Sequence, residues 1–174
     1  MNLSNTTIGI FILAIATTLS IFRLNGHISA HAEYSNLAGS YWDLAEKSST
    51  IKDKSTNIDL FVYKLESLGL QNTNSALIYK TINTDFNKNF AALKTFQSRL
   101  HSIDTMNVNS FAYQTAIQQI TQQEQGEADD MLSVFSECYY KVHYYFYYNL
   151  FIIIGFFILE ILLFTIGFAI LVEG

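Results

Sequence analysis

The 174-residue chain has no proline, one cysteine and only eight glycines. Without proline, nothing removes a backbone donor or forces a kink, so long uninterrupted helices are permitted. The single thiol, Cys138, excludes an intrachain disulfide and a cysteine-only zinc site within one copy. Charge is also sparse, at 14% of residues and a net −5, and lysine and arginine are scattered singly. No basic stripe is offered to a nucleic acid. Glycine-rich phosphate loops, Walker or Rossmann patterns and a nucleophile spaced from a base are all missing, which sets aside an enzyme acting alone.

What the chain has in quantity is apolar residues, half of the total, with the two longest runs near its ends. Residues 150–172 form a run interrupted by one charge, Glu160, and long enough to cross a bilayer, which needs roughly 20 apolar residues. Residues 6–22 form a shorter run. The five residues before it carry no lysine or arginine, and the Ala30-His31-Ala32 triplet lies well past it. The first run is therefore expected to be a retained anchor rather than a cleaved signal. The expected organisation is a tail at 1–5, a span at 6–22, a helical extramembrane region at 23–149, a span at 150–172 and a tail at 173–174. Arg23 and Lys141 flank the spans on the side of the middle region, so the positive-inside rule favours a cytoplasmic middle region with both termini opposite. Two Asn-x-Ser/Thr matches, at Asn2 and Asn5, fit an outside tail.

The middle region reads as helical throughout. Tyr34, Leu37, Tyr41, Leu44, Ser48, Ile51, Ser55, Ile58, Val62 and Leu65 alternate by three and four, the seam of a coiled coil. Gly69 is a stop signal. Asn74 or Ser75 is positioned to cap a second helix bearing Ile78, Ile82, Phe86, Phe90, Leu93, Phe96, Leu100 and Ile103. After a turn at 104–109, a third helix is expected to begin near Ser110 and run unbroken into the second span, with Gly126 its weakest point. A chain that leaves and returns to one membrane face needs an even number of passes. A break within 48–57, with Asn57 capping a new helix, gives an antiparallel four-helix bundle. A long helical hairpin is the rival. The expected fold class is thus an all-α membrane protein, two terminal transmembrane helices bracketing an antiparallel helical bundle or long hairpin.

Glu160 is the residue that most demands an explanation, because a carboxylate at mid-bilayer costs about 2.5–3.5 kcal/mol and must face protein or water. Pairing the spans with Phe22 level with Asn149 sets Phe11 and Ile12 opposite it. The first span then offers no partner, and the expected partner lies in another chain. Gly167, two turns along the same face, permits close helix approach. Tyr144, Tyr145, Tyr147 and Tyr148 crowd the approach to the second span, with Tyr139 and Tyr140 behind them. They read as an interfacial aromatic belt with some rings left to face protein.

His27, His31 and His143 lie near the membrane ends of the first and last helices, where imidazoles suit copper, zinc or haem; interfacial histidines without a metal are the plainer reading. Glu124, Glu127, Asp129 and Asp130 read as a solvated acidic face, His101 as a favourable charge at a helix C-terminus, and Trp42 as core packing. Together these features favour a non-catalytic accessory subunit of a larger integral membrane complex. It would dock through the second span and the tyrosine girdle onto other membrane subunits or a second copy, in contact with bilayer lipid and without a cofactor. The alternatives are a ligand-sensing bundle without an output region, or a metal- or haem-bearing redox subunit.

Overall fold

A computed structural model describes residues 5–126 and 128–173, with side chains described except at 121–129 and 173. The Asn2 motif, Glu127 and Gly174 lie outside the described residues, as do the side chains of Glu124 and Asp129 in the expected acidic face. The described residues are all-α. In order they form α1 (Asn5–Tyr34), a π-helical turn (Ser35–Gly39), α2 (Ser40–Glu46), α3 (Ile51–Ser67), α4 (Phe86–Asp104), α5 (Phe111–Gly126), α6 (Ala128–His143), α7 (Tyr145–Tyr148) and α8 (Leu150–Glu173). Two compact units result. One holds 1–30 with 144–174, the other 31–143.

The first unit pairs α1 with α8. Two helices, Asn5–Glu46 including its π turn and Leu150–Val172, are long and apolar enough to cross a membrane. Only 11% of the most apolar window of each is buried, unlike the core helix of a soluble protein. α7 does not run into α8 without interruption: Asn149 adopts an extended backbone, and its side-chain oxygen accepts the amides of Phe151 and Ile152 to start the new helix.

The second unit is a bundle of four passes. The end of α1, the π turn and α2 make the first pass, α3 the second, α4 the third, and α5 with α6 the fourth. Direction follows from the contacts. Asp59 meets Gln97 while Ser55 meets His101, so α3 and α4 are antiparallel. Phe61 meets Phe135 while Leu68 meets His143, so α3 and α6 run together. Trp42, Phe61, Phe86, Leu93, Leu100 and Phe135 fill the interior.

The break after the first pass is where the parity argument puts it, but the cap is Thr50, whose hydroxyl accepts the Asp53 amide, and not Asn57. Asn57 instead donates to Ser48 Oγ across the turn. Gly69 takes the left-handed conformation at φ +66°, as a helix stop requires. Ser110 caps α5 through the Tyr113 amide.

Two further expectations are corrected. The helix expected from residue 75 begins only at Phe86, capped by Asp85. Local bonding wins over periodicity in 74–85: Asn74 Oδ1 accepts the Ala76 amide, Ser75 N donates to the Thr84 carbonyl, and Thr84 Oγ1 accepts the Thr81 amide. The seam is also shifted. Tyr34 is buried as expected, but Ala38, Trp42 and Ala45 then replace Leu37, Tyr41 and Leu44. The π turn inserts one residue into the helix, moving the later buried positions of that pass by one. Beyond the break the expected positions Ser55, Ile58, Val62 and Leu65 are buried and Ile51 is half-buried.

Candidate functional site

The membrane-type helix pair is held by small residues and one ion pair. Gly167 of α8 lies against Leu13 of α1, whose Cγ would stand 2.9 Å from a β-carbon added there. Gly9 is matched in the same way, with Leu171 Cγ at 2.9 Å and the Gly167 carbonyl at 3.1 Å. A β-carbon on Gly26 would fall inside the Tyr147 ring. Ala16 is fully buried. These contacts bring the two backbones together where larger side chains would hold them apart.

This close approach sets the register, and the register corrects the expectation for Glu160. Leu13 on Gly167, continued seven residues in each antiparallel direction, places Glu160 level with Ser20, not with Phe11 and Ile12. Arg23 lies three residues further along α1, about one helical turn, and its long side chain covers that interval. Arg23 Nη2 stands 3.4 Å from Glu160 Oε2. The chain therefore supplies the charged partner itself. Glu160 is 6% exposed, and its second oxygen, Oε1, is buried without a hydrogen-bond partner. Arg23 remains partly exposed. Sequence reasoning passed over Arg23 because it assumed that helix ends align. The signal available was Gly9, the only glycine in the first run, as the counterpart of Gly167.

The tyrosines divide. Tyr147 packs on Phe22 and Gly26, and its ring lies 6.4 Å from that of Tyr144. Tyr148 stands edge-on to His27 at 4.7 Å. Tyr145 is exposed, and Phe146 beside it packs on Phe156 and Tyr147.

Each histidine has protein neighbours. His27 lies against Tyr147 and Tyr148. His31 packs on Tyr140 at 5.6 Å. His143 packs on Tyr139 at 4.5 Å, and its Nε2 stands 3.3 Å from the Leu68 carbonyl, which requires the proton on that nitrogen. Among the described residues no three His, Cys, Asp or Glu side chains are grouped to hold a metal ion. His101 does more than face a helix end: Nε2 lies 2.9 Å from Asp59 Oδ1 and Nδ1 lies 3.3 Å from the buried Ser55 hydroxyl. Trp42 is core, packed on Phe61 and Phe96, and its indole donates to Glu46.

The bundle carries one feature with no warning in the sequence. Between the π turn and α6 is an open cleft of about 290 Å³, lined by His31, Tyr34, Ser35, Gly39, Trp42, Asp43, Leu132, Ser133, Ser136 and Tyr140. One of its lining residues, Tyr34, has a hydroxyl that is buried without a hydrogen-bond partner.

Against known proteins, the chain matches no family model, no curated protein and no solved structure.

Proposed function

We propose that this chain is a non-catalytic accessory subunit of an integral membrane complex, anchored by two spans with the bundle on one face of the bilayer. The observation that carries the reading is the inverted distribution of side chains in the helix pair. Glu160 and small residues face inward, while Phe11, Phe151, Phe157 and Phe168 face outward. That is how a helix pair is arranged in lipid, where apolar side chains gain nothing by facing each other. The docking face differs from the one the sequence suggests. Glu160 and Gly167 are occupied in joining α8 to α1, which leaves the outer face of α8 and the exposed Tyr145 for a neighbouring subunit. The flanking charges Arg23 and Lys141 favour the cytoplasmic side for the bundle.

The test is affinity purification in mild detergent after photo-crosslinking from Phe157 and Tyr145. Stoichiometric capture of a larger membrane protein supports the reading. Recovery of uncrosslinked monomer from both positions overturns it. A second reading, a ligand-binding bundle, is favoured by the cleft at the π turn. A ligand there would shift the emission of Trp42, the only tryptophan, which lines it.

A further inference from the structure

The link between α3 and α4 is built in two parts. Its base is fixed. Leu70 and Ser75 are buried, Asn72 and Asn87 are hydrogen-bonded side chain to side chain at 3.0 Å, and Asn74 bridges to Asp85. The Lys141 ammonium donates to the carbonyls of Asn74 and Ala76, and this burial holds its pKa below the ordinary lysine value. The apex faces the other way. Leu77, Ile78, Tyr79 and Ile82 are all exposed, Ile78 by 68% and Tyr79 by 82%, with Lys80 among them. Four large apolar side chains in six residues are not left in water at the tip of an otherwise well-packed loop without a use.

The position of the loop indicates what covers it. His143 holds the Leu68 carbonyl, and His31 packs on Tyr140, so the loop lies at the end of the bundle where the chain both enters and leaves. The chain is joined to both apolar helices through residues 31 and 143, which lie at that end. The polar layer of a bilayer is about 5–8 Å deep on each side. The composition fits that layer: aliphatic side chains that can enter it, a tyrosine suited to its edge and a lysine that can reach back to the headgroups.

We propose that residues 77–82 form a third membrane contact, an apolar loop seated in the lipid headgroup region. The inference rests on the membrane-crossing reading, and its test separates the two. The full chain is placed in nanodiscs of mixed phosphatidylcholine and phosphatidylglycerol. An environment-sensitive fluorophore is attached through Ile78→Cys, with Leu162→Cys in α8 and Val108→Cys at the opposite end of the bundle as references. Cys138 is fully buried and stays unlabelled. The expected result is a blue-shifted Ile78 probe, quenched by nitroxide lipid and several-fold better shielded from aqueous iodide than the Val108 probe. If the Ile78 probe is as open to iodide as Val108 while Leu162 reports lipid, the loop contact is wrong and the spans stand. Shielding from iodide without quenching by nitroxide lipid means protein covers the loop, which also overturns the proposal. An iodide-accessible Leu162 probe overturns both.

Discussion

The two units bury opposite things. In the bundle the interior holds large rings and branched chains, among them Phe61, Phe86, Phe135 and Tyr139, and polar residues face outward. In the helix pair the buried residues described are Gly9, Ala16, Gly26, Ala30, Glu160 and Gly167, while large apolar chains such as Phe151 and Val172 face outward. The contrast is what the proposed membrane setting of the helix pair requires. Water drives apolar surface together, so the bundle is held by burial. Lipid does not, so in that setting a helix pair depends on close backbone approach and on a charge that cannot be left alone. One chain thus carries two packing rules, and a substitution should have opposite consequences under each.

The strongest way to sharpen the contrast is to remove a ring from each unit. Phe61→Ala should cost about 3–5 kcal/mol, read from chemical unfolding in detergent by Trp42 emission. Phe151→Ala should stay within about 0.5 kcal/mol. Equal losses would break the comparison. The ion pair comes next. Arg23→Leu leaves Glu160 buried and unpaired and should cost about 3 kcal/mol, whereas Arg23→Leu with Glu160→Leu should return to within about 1 kcal/mol of wild type. A thermal melt of the four-member cycle in detergent measures this, and additive losses would show that the two side chains do not interact.

Glycines give a finer test. Gly167→Leu meets Leu13 and should cost about 1–3 kcal/mol. Gly155, with nothing near its missing β-carbon, should accept leucine within about 0.5 kcal/mol. The smallest effect is that of pH on the bundle. Burial pushes the Cys138 thiol up, so the folded state holds this proton more tightly than the unfolded state. That contribution is present below the ordinary thiol value of 9.0 and is lost as pH rises through the folded value. Lys141 acts with the reverse sign, since its lowered value favours the folded state as pH climbs toward 10.5. The alkaline loss of stability should therefore be smaller in Cys138→Ala than in wild type, as measured by melts at several pH values.

Much of this architecture was legible in the residues. The apolar runs, the left-handed Gly69, the Ser110 cap and the need for a break between the first two passes all follow from local chemistry. Three features were not. Ile78 and Ile82 keep helical spacing with Phe86, so periodicity continues into a segment whose asparagine and threonine side chains bind their own backbone instead. The π turn moved the buried face from Leu37, Tyr41 and Leu44 to Ala38, Trp42 and Ala45, a change no period count reveals. The partner of Glu160 depended on register, which is set by Gly9 and Gly167 meeting their neighbours rather than by the ends of the apolar runs.

The π turn has a further consequence. Along the first helix the buried positions Gly26, Ala30, Tyr34, Ala38 and Trp42 recur every four residues, whereas an α-helix repeats every 3.6. A stripe with that spacing winds slowly around its rod, and the wide turn at Ser35–Gly39 takes up the accumulated angle. It works as a vernier of one residue. Deleting exposed Leu37 would leave a more regular helix and a less stable protein, because Trp42 and Ala45 would then be turned out of the bundle.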